Sequence, residues 1–233
     1  MPNDPKEEGL LEFLNTFVSE HKKELFEKVL AQRTRHITVV LENIYQPHNA
    51  NAVLRTCEAL GVQDVHIIED RNPFQLSLNV TQGSAKWLDL EHYSKEGIAT
   101  KECVDTLRAS GYKLACATPH AELTIDQLNI QEPLAICFGT ELTGASDELI
   151  EACDVQFKLP MFGFTESYNI SVSAALVLYD LVGRMRGSDK EYGLSENEKQ
   201  SLRLLWAKKT VHEPEKLGRY FDEKWASDAQ RKG

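Results

Sequence analysis

Residues 37–68 read ITVVLENIYQPHNANAVLRTCEALGVQDVHII, and this stretch decides the fold class. Its opening run, Ile37-Thr38-Val39-Val40-Leu41, is apolar and rich in β-branched side chains, which predicts a buried strand. Helical patterning follows over 51–60 and is closed by Gly61, and Val65-His66-Ile67-Ile68 is a second short apolar run. Strand, helix and strand in so few residues form the unit from which parallel sheets are built. The alternation continues downstream, with strands predicted over 87–93, 112–118, 134–138 and 155–159. Helices are predicted near 98–109, ended by Gly111, around 147–153, and from Asn169 to about Met185. Short, continuously apolar strands are covered on both faces. The predicted class is therefore α/β: a mostly parallel sheet with helices on both faces.

Outside this region the grammar is helical only. Leu10, Leu14, Phe17, Val18, Leu25 and Val29 recur at three and four with charges between them, which predicts one amphipathic helix over 8–32. Towards the C-terminus, Ser195 and Glu198 have the spacing of a capping box, and Pro214 opens a further helix through Ala226. The expected organisation is an N-terminal helical extension over 1–36, an α/β domain over 37–186, and a C-terminal helical extension over 187–233.

The composition, 42% hydrophobic and 27% charged over 233 residues, is that of a globular chain and excludes collagen-like, disordered and disulfide-scaffold classes. No stretch has the roughly 20 apolar residues of a membrane span. The segment MPNDPKEEG lacks a basic start followed by an apolar core, so a cytoplasmic chain with no membrane association is expected. Cys57, Cys103, Cys116, Cys137 and Cys153 are widely spaced with no C-x-x-C pair, so reduced, buried thiols are expected and no metal site. The net charge of −10 opposes a nucleic-acid partner when taken whole. By region it is −1 over 1–36, −12 over 37–182 and +3 over 183–233, so any attraction to RNA must come from local cations. Candidates are Arg33, Arg35, Arg55, Arg184, Arg186, Arg203, Lys208, Lys209 and Arg219.

Ligands of open α/β sheets bind beyond the C-terminal ends of the strands, which directs attention to three loops. In the first, residues 43–56, Asn49 and Asn51 offer helix caps and Arg55 lies one turn in, where it can meet an anion; alone it reads more readily as a solvated arginine. In the second, Gly139-Thr140-Glu141-Leu142-Thr143-Gly144, a carboxylate stands between glycines after a buried strand; alone this is also the pattern of a tight turn. The lysine of a phosphate-binding loop is missing, and no glycine set matches G-x-G-x-x-G, so nucleoside triphosphate and dinucleotide chemistry are unsupported. In the third, 159–175, Pro160-Met161-Phe162-Gly163 forms an apolar loop able to wall a flat ligand such as adenine. The Ser167-Tyr168-Asn169-Ile170-Ser171 that follows also reads as ordinary caps on an Ala-rich core helix.

Together and in this order, the loops resemble the three motifs of the SpoU, or TrmH, family of RNA 2′-O-ribose methyltransferases. N-x-x-x-x-x-R is Asn49 to Arg55, G-x-E-x-x-G is Gly139, Glu141 and Gly144, and the third motif spans Pro160 to Gly163 and Ser167 to Ser171. The resemblance covers about 37–186. It implies a deep trefoil knot in the C-terminal part of the sheet, an S-adenosylmethionine site within the knot, no metal, tRNA as substrate and an obligate homodimer. By the same carry-over, Arg55, Asn49, Glu141, Ser167 and Asn169 form the catalytic set, and Thr118, Gly139, Leu159, Met161, Tyr168 and Ser173 contact the methyl donor. Tyr168 departs from the leucine common in tRNA-directed members. Helical extensions at both ends look most like the branch that methylates guanosine 18 of the tRNA D loop. Other RNA sites, such as a wobble nucleotide or rRNA, and a non-catalytic RNA-binding role are the alternatives. The resemblance makes Arg55 the base that takes the 2′-hydroxyl proton. A guanidinium is a poor base in water, so a charged Arg55 that grips phosphate and stabilises the developing alkoxide is an equal alternative.

Overall fold

The computed structural model describes residues 4–70 and 83–232, with side chains to 227. The chain divides into two compact units, one of residues 34–192 and one of the terminal segments up to Arg33 and from Gly193.

The 34–192 unit is built on a seven-stranded sheet comprising β1 (Ile37–Glu42), β2 (Asp64–Ile68), β3 (Asp89–Tyr93), β4 (Lys113–Ala117), β5 (Leu123–Thr124), β6 (Leu134–Phe138) and β7 (Val155–Lys158). The order is β3-β2-β1-β6-β4-β7-β5 and every ladder is parallel. β1 is an interior strand beside the central β6, with Val39 opposite Val65 on one side and Ile136 on the other. Its side chains alternate between two cores. Val39 and Leu41 join Val53, Leu54 and Cys57 of α3 (Pro47–Leu60) and Val177, Leu178 and Leu181 of α6 (Ile170–Arg186). Val40 joins Cys103, Val104 and Leu107 of α4 (Ala99–Ala109) and Leu149 of α5 (Asp147–Ala152). Each buried Val or Leu contributes about 1.5–3 kcal/mol, so β1 is held by a core on each of its faces. Because all strands run one way, the segments after β1, β4, β6 and β7 emerge at one edge of the sheet.

The terminal segments form α1 (Pro5–Asn15), α2 (Glu20–Leu30), α7 (Glu196–Thr210) and α8 (Pro214–Lys232). Trp206 is buried against the edge of Phe26, at 5.5 Å, and under the Arg33 guanidinium, at 5.6 Å. Arg203 clasps Glu27 through two 2.7 Å bonds, and the ring of Phe13 meets Tyr220 and Phe221.

Several local expectations need correction. The helix expected over 8–32 is two, because Ser19 turns extended and its hydroxyl accepts from the Lys22 amide as the cap of α2. α3 starts at Pro47, whose fixed φ suits a first helical position, so Asn49 and Asn51 lie inside the helix rather than capping it, and Arg55 sits two turns in. The closure at Gly61 stands, with φ 83°. The short β5 has no patterning that would have revealed it.

Candidate functional site

At the end of β1 the chain turns through Asn43, a non-glycine residue at φ 53°, and enters α3. This turn buries Asn49 at 3% exposure. Its Nδ2 donates to Glu141 Oε1 at 2.5 Å and to Gln46 Oε1 at 3.1 Å. Arg55, further along α3, is exposed, and its guanidinium makes no hydrogen bond or ion pair among the described residues.

The loop after β6 is held by its own backbone. Thr140 N–H donates to Gly144 O at 2.9 Å, and Gly144 N–H donates back to Thr140 O at 3.1 Å. A Cβ at Gly139 would lie 2.0 Å from the Ala145 amide nitrogen, so only glycine allows the loop to close on itself. Gly144, at φ +73°, supplies the left-handed turn. Glu141 is thereby carried to Asn49 from 92 residues away.

The loop after β7 completes the arrangement. Asn169 caps α6, its Oδ1 accepting from the Ser171 amide at 2.9 Å and the Ser171 hydroxyl at 2.5 Å, while its Nδ2 donates to Asn49 Oδ1 at 3.2 Å. Glu141, Asn49 and Asn169, one from each loop, thus form a chain of side-chain hydrogen bonds with Asn49 at the centre. Before Asn169, residues 160–168 form no hydrogen bond among the described residues, and Phe162 and Phe164 stand fully in solvent. Free backbone donors and acceptors beside exposed apolar side chains can accept a heterocycle by its edge and its faces.

The other candidates fall into distinct settings. Thr118 follows β4 and is half-buried, its N–H donating to Phe157 O at 2.9 Å. Leu159 and Met161 are half-buried, while Ser167 and Tyr168 are exposed. Ser173 lies in the first turn of α6, its amide donating to Asn169 O. The proposed RNA-binding cations separate more sharply. Arg33 is 1% exposed over Trp206, out of reach of a phosphate. Arg35 binds both Asp64 oxygens at 3.0 Å and Asp89 at 2.5 Å. Arg184 donates to Asp180, Leu128 O and Ile125 O, so its whole fork ties α6 to the segment around 125–128. Arg186 donates to Leu60 O at 3.2 Å. Lys208 and Lys209 are exposed on α7, and Arg219 is exposed on α8.

Three contributors escaped the sequence reading: Gln46, which steadies Asn49, and the pair Glu42 and Ser146, joined at 2.7 Å and 2.6 Å beneath the second loop. A buried acidic residue at a strand end was the available signal for Glu42. Burial pushes the Cys103 thiol up, away from reactivity. Among the described residues no group of His, Cys, Asp or Glu side chains is placed to hold a metal ion. No described helix is long and apolar enough to cross a membrane.

Comparison with known proteins places this geometry among relatives. Residues 36–179 match the profile of the SpoU rRNA Methylase family. A tRNA (guanosine(18)-2'-O)-methyltransferase of Borreliella burgdorferi is 43% identical over 199 residues, covering 85% of this chain and 89% of its own. The crystal structure of the A. aeolicus TrmH/SpoU tRNA modifying enzyme superposes with a TM-score of 0.73 at 26% identity, covering 83% of this chain and 98% of the other. The SpoU methyltransferase AviRb from Streptomyces viridochromogenes, solved in complex with AdoMet, shares the fold at TM-score 0.60 and 21% identity over 67% of this chain and 63% of its own.

Proposed function

We propose that this chain, which belongs to the SpoU rRNA Methylase family, transfers a methyl group from S-adenosylmethionine to a ribose 2′ hydroxyl of tRNA, with guanosine 18 as the target. The observation that carries the proposal is the Glu141–Asn49–Asn169 chain, in which the three loops carrying the family's motifs meet through their own side chains. The guanosine 18 specificity rests on the relative that is 43% identical across most of both chains.

The residues present fit the donor. The 160–168 segment offers unused backbone groups and an apolar wall, and the glycine-closed loop at 139–144 offers a compact turn beside it. Leu159, Met161, Tyr168, Thr118, Gly139 and Ser173 would hold it. When bound, it supplies a methyl group on a positively charged sulfur, open to attack by an oxygen nucleophile. The chain's own contribution is to bring the 2′ oxygen in line with that methyl and to manage its proton. Positioning of this kind is worth several kcal/mol. Asn49 fixes Glu141 and Asn169 to each other, and Ser167, two residues before Asn169, is exposed.

For Arg55 the exposed helix position favours the phosphate-gripping role over that of the base. Its fork would grip a phosphate next to the target and stabilise the developing alkoxide. Arg55→Lys keeps the charge but loses the fork, so turnover falls while the pH–rate profile keeps its shape.

The remaining family features follow as proposals: the trefoil knot in the C-terminal part of the sheet, a cytoplasmic location, and a homodimer. Val172, Leu176 and Tyr179 form an exposed apolar stripe along α6, which supports the homodimer. RNA contact is assigned to Arg55 on the 34–192 unit and, separately, to Lys208, Lys209 and Arg219 on the terminal unit, rather than to Arg33, Arg35 or Arg184, whose guanidiniums are buried or engaged. Incubation of purified protein with labelled donor and either tRNA or rRNA tests the proposal. Methyl incorporation into tRNA that disappears when guanosine 18 carries a 2′-deoxyribose is the expected result; incorporation into rRNA alone would overturn it.

A further inference from the structure

We infer that Glu42 is a positioning residue for methyl-donor binding, acting through Ser146 on the loop that carries Gly139 and Glu141. The inference rests on the function proposed above. Glu42 is the last residue of β1 and only 2% exposed, pointing to the face covered by α4 and α5. Its Oε2 accepts from the Ser146 amide at 2.7 Å, and its Oε1 accepts from the Ser146 hydroxyl at 2.6 Å and the Thr100 hydroxyl at 3.3 Å. Ser146 is both the last residue of the second loop and the cap of α5, its hydroxyl oxygen also accepting from the Leu149 amide at 3.2 Å.

Glu42 meets all three donors with one charged group in a site closed to water. A glutamine keeps its oxygen for the Ser146 amide only by turning its NH2 to the two hydroxyls, and it replaces charge-assisted bonds with neutral ones. The turn after β1 thus holds the second loop at two places, Glu42 at its base through Ser146 and Asn49 at its tip through Glu141. With the base released, the loop keeps its internal Thr140–Gly144 bridge but loses its register against the first loop. The groups offered to the donor then move together, while the tRNA-facing cations stay where they are.

The test is isothermal titration of S-adenosylmethionine into wild type, Glu42→Gln, Ser146→Ala and the double variant, with kcat and the KM for tRNA measured in parallel. Losing one hydrogen bond to a charged group corresponds to about tenfold. Glu42→Gln is expected to raise the donor Kd about tenfold and leave the KM for tRNA unchanged. Ser146→Ala is expected to shift the donor Kd in the same direction by less, and the double variant to match Glu42→Gln, since both remove one contact. A folded Glu42→Gln protein with wild-type donor affinity overturns the inference, as does a change confined to the KM for tRNA. If Glu42→Gln does not fold, a folded Ser146→Ala protein with unchanged donor affinity overturns it equally. Wild type that binds no donor would sink the proposed function, and this inference with it; wild-type binding that Glu42→Gln leaves untouched sinks only this inference.

Discussion

Replacing Asn49 tests the geometry of the site at its centre. Besides the local bond to Gln46, Asn49→Ala removes the two bonds that link the loops, one to the Glu141 carboxylate at 2.5 Å and one to the Asn169 amide at 3.2 Å, in a position only 3% exposed. The carboxylate bond is worth about 2 kcal/mol and the neutral one about 1 kcal/mol, so roughly 3 kcal/mol of preorganisation is lost. At about 1.4 kcal/mol for each factor of ten, kcat/KM should fall about a hundredfold. Asn49→Asp is the sharper variant, since an oxygen replaces the donor facing Glu141 and sets two carboxylates against each other. Single-turnover methylation of tRNA at saturating donor, with folding checked by circular dichroism, reads both. The account requires both variants to be impaired and Asn49→Asp to be the worse. Full activity in Asn49→Ala, or Asn49→Asp more active than Asn49→Ala, would refute the hydrogen-bonded chain as the organiser of the site.

Gly139→Ala should lose donor binding and lower Tm by several degrees, because its methyl lies 2.0 Å from the Ala145 nitrogen and backbone must move; titration and thermal melting check it, and unchanged values would contradict the tight closure. Burial is the largest influence on the Asp64 carboxyl and pushes it from 3.8 to about 6 against the opposing pull of Arg35. A raised folded value means the native state binds the proton more tightly, so this group's contribution is most favourable near pH 4 and declines as pH rises through about 6. The difference corresponds to roughly 3 kcal/mol, so urea unfolding should show wild type losing stability relative to Asp64→Asn between pH 4 and 7; a constant gap would contradict it. Arg184→Ala should cost about 2–4 kcal/mol of stability while leaving the salt dependence of tRNA binding unaltered, since its guanidinium is fully engaged; a salt slope reduced by about one would return it to the RNA surface.

The strands were legible because burial on both faces writes itself as unbroken apolar runs such as Ile37–Leu41, and Gly61 marked a helix end through its left-handed backbone. What local pattern misreads is competition between equally acceptable starts. Asn49 and Asn51 are good caps, yet Pro47 begins the helix earlier and turns Asn49 inward, where it becomes the hub. Cations are the least legible. Arg33 and Arg184 look like RNA contacts in a sequence, and only three-dimensional packing shows one buried over a tryptophan and the other clamping backbone carbonyls. Glu42 carried no motif, since its partner lies 104 residues away.

The central claim is methyl transfer to one ribose oxygen of tRNA at the meeting point of these loops. Nuclease digestion and mass spectrometry of tRNA methylated by the purified protein, beside an Arg55→Ala control, test it most directly. The expected product is 2′-O-methylguanosine at position 18 with wild type and none with Arg55→Ala, although that variant still binds donor. A methyl group on a base, or product formed equally well without Arg55, would contradict it.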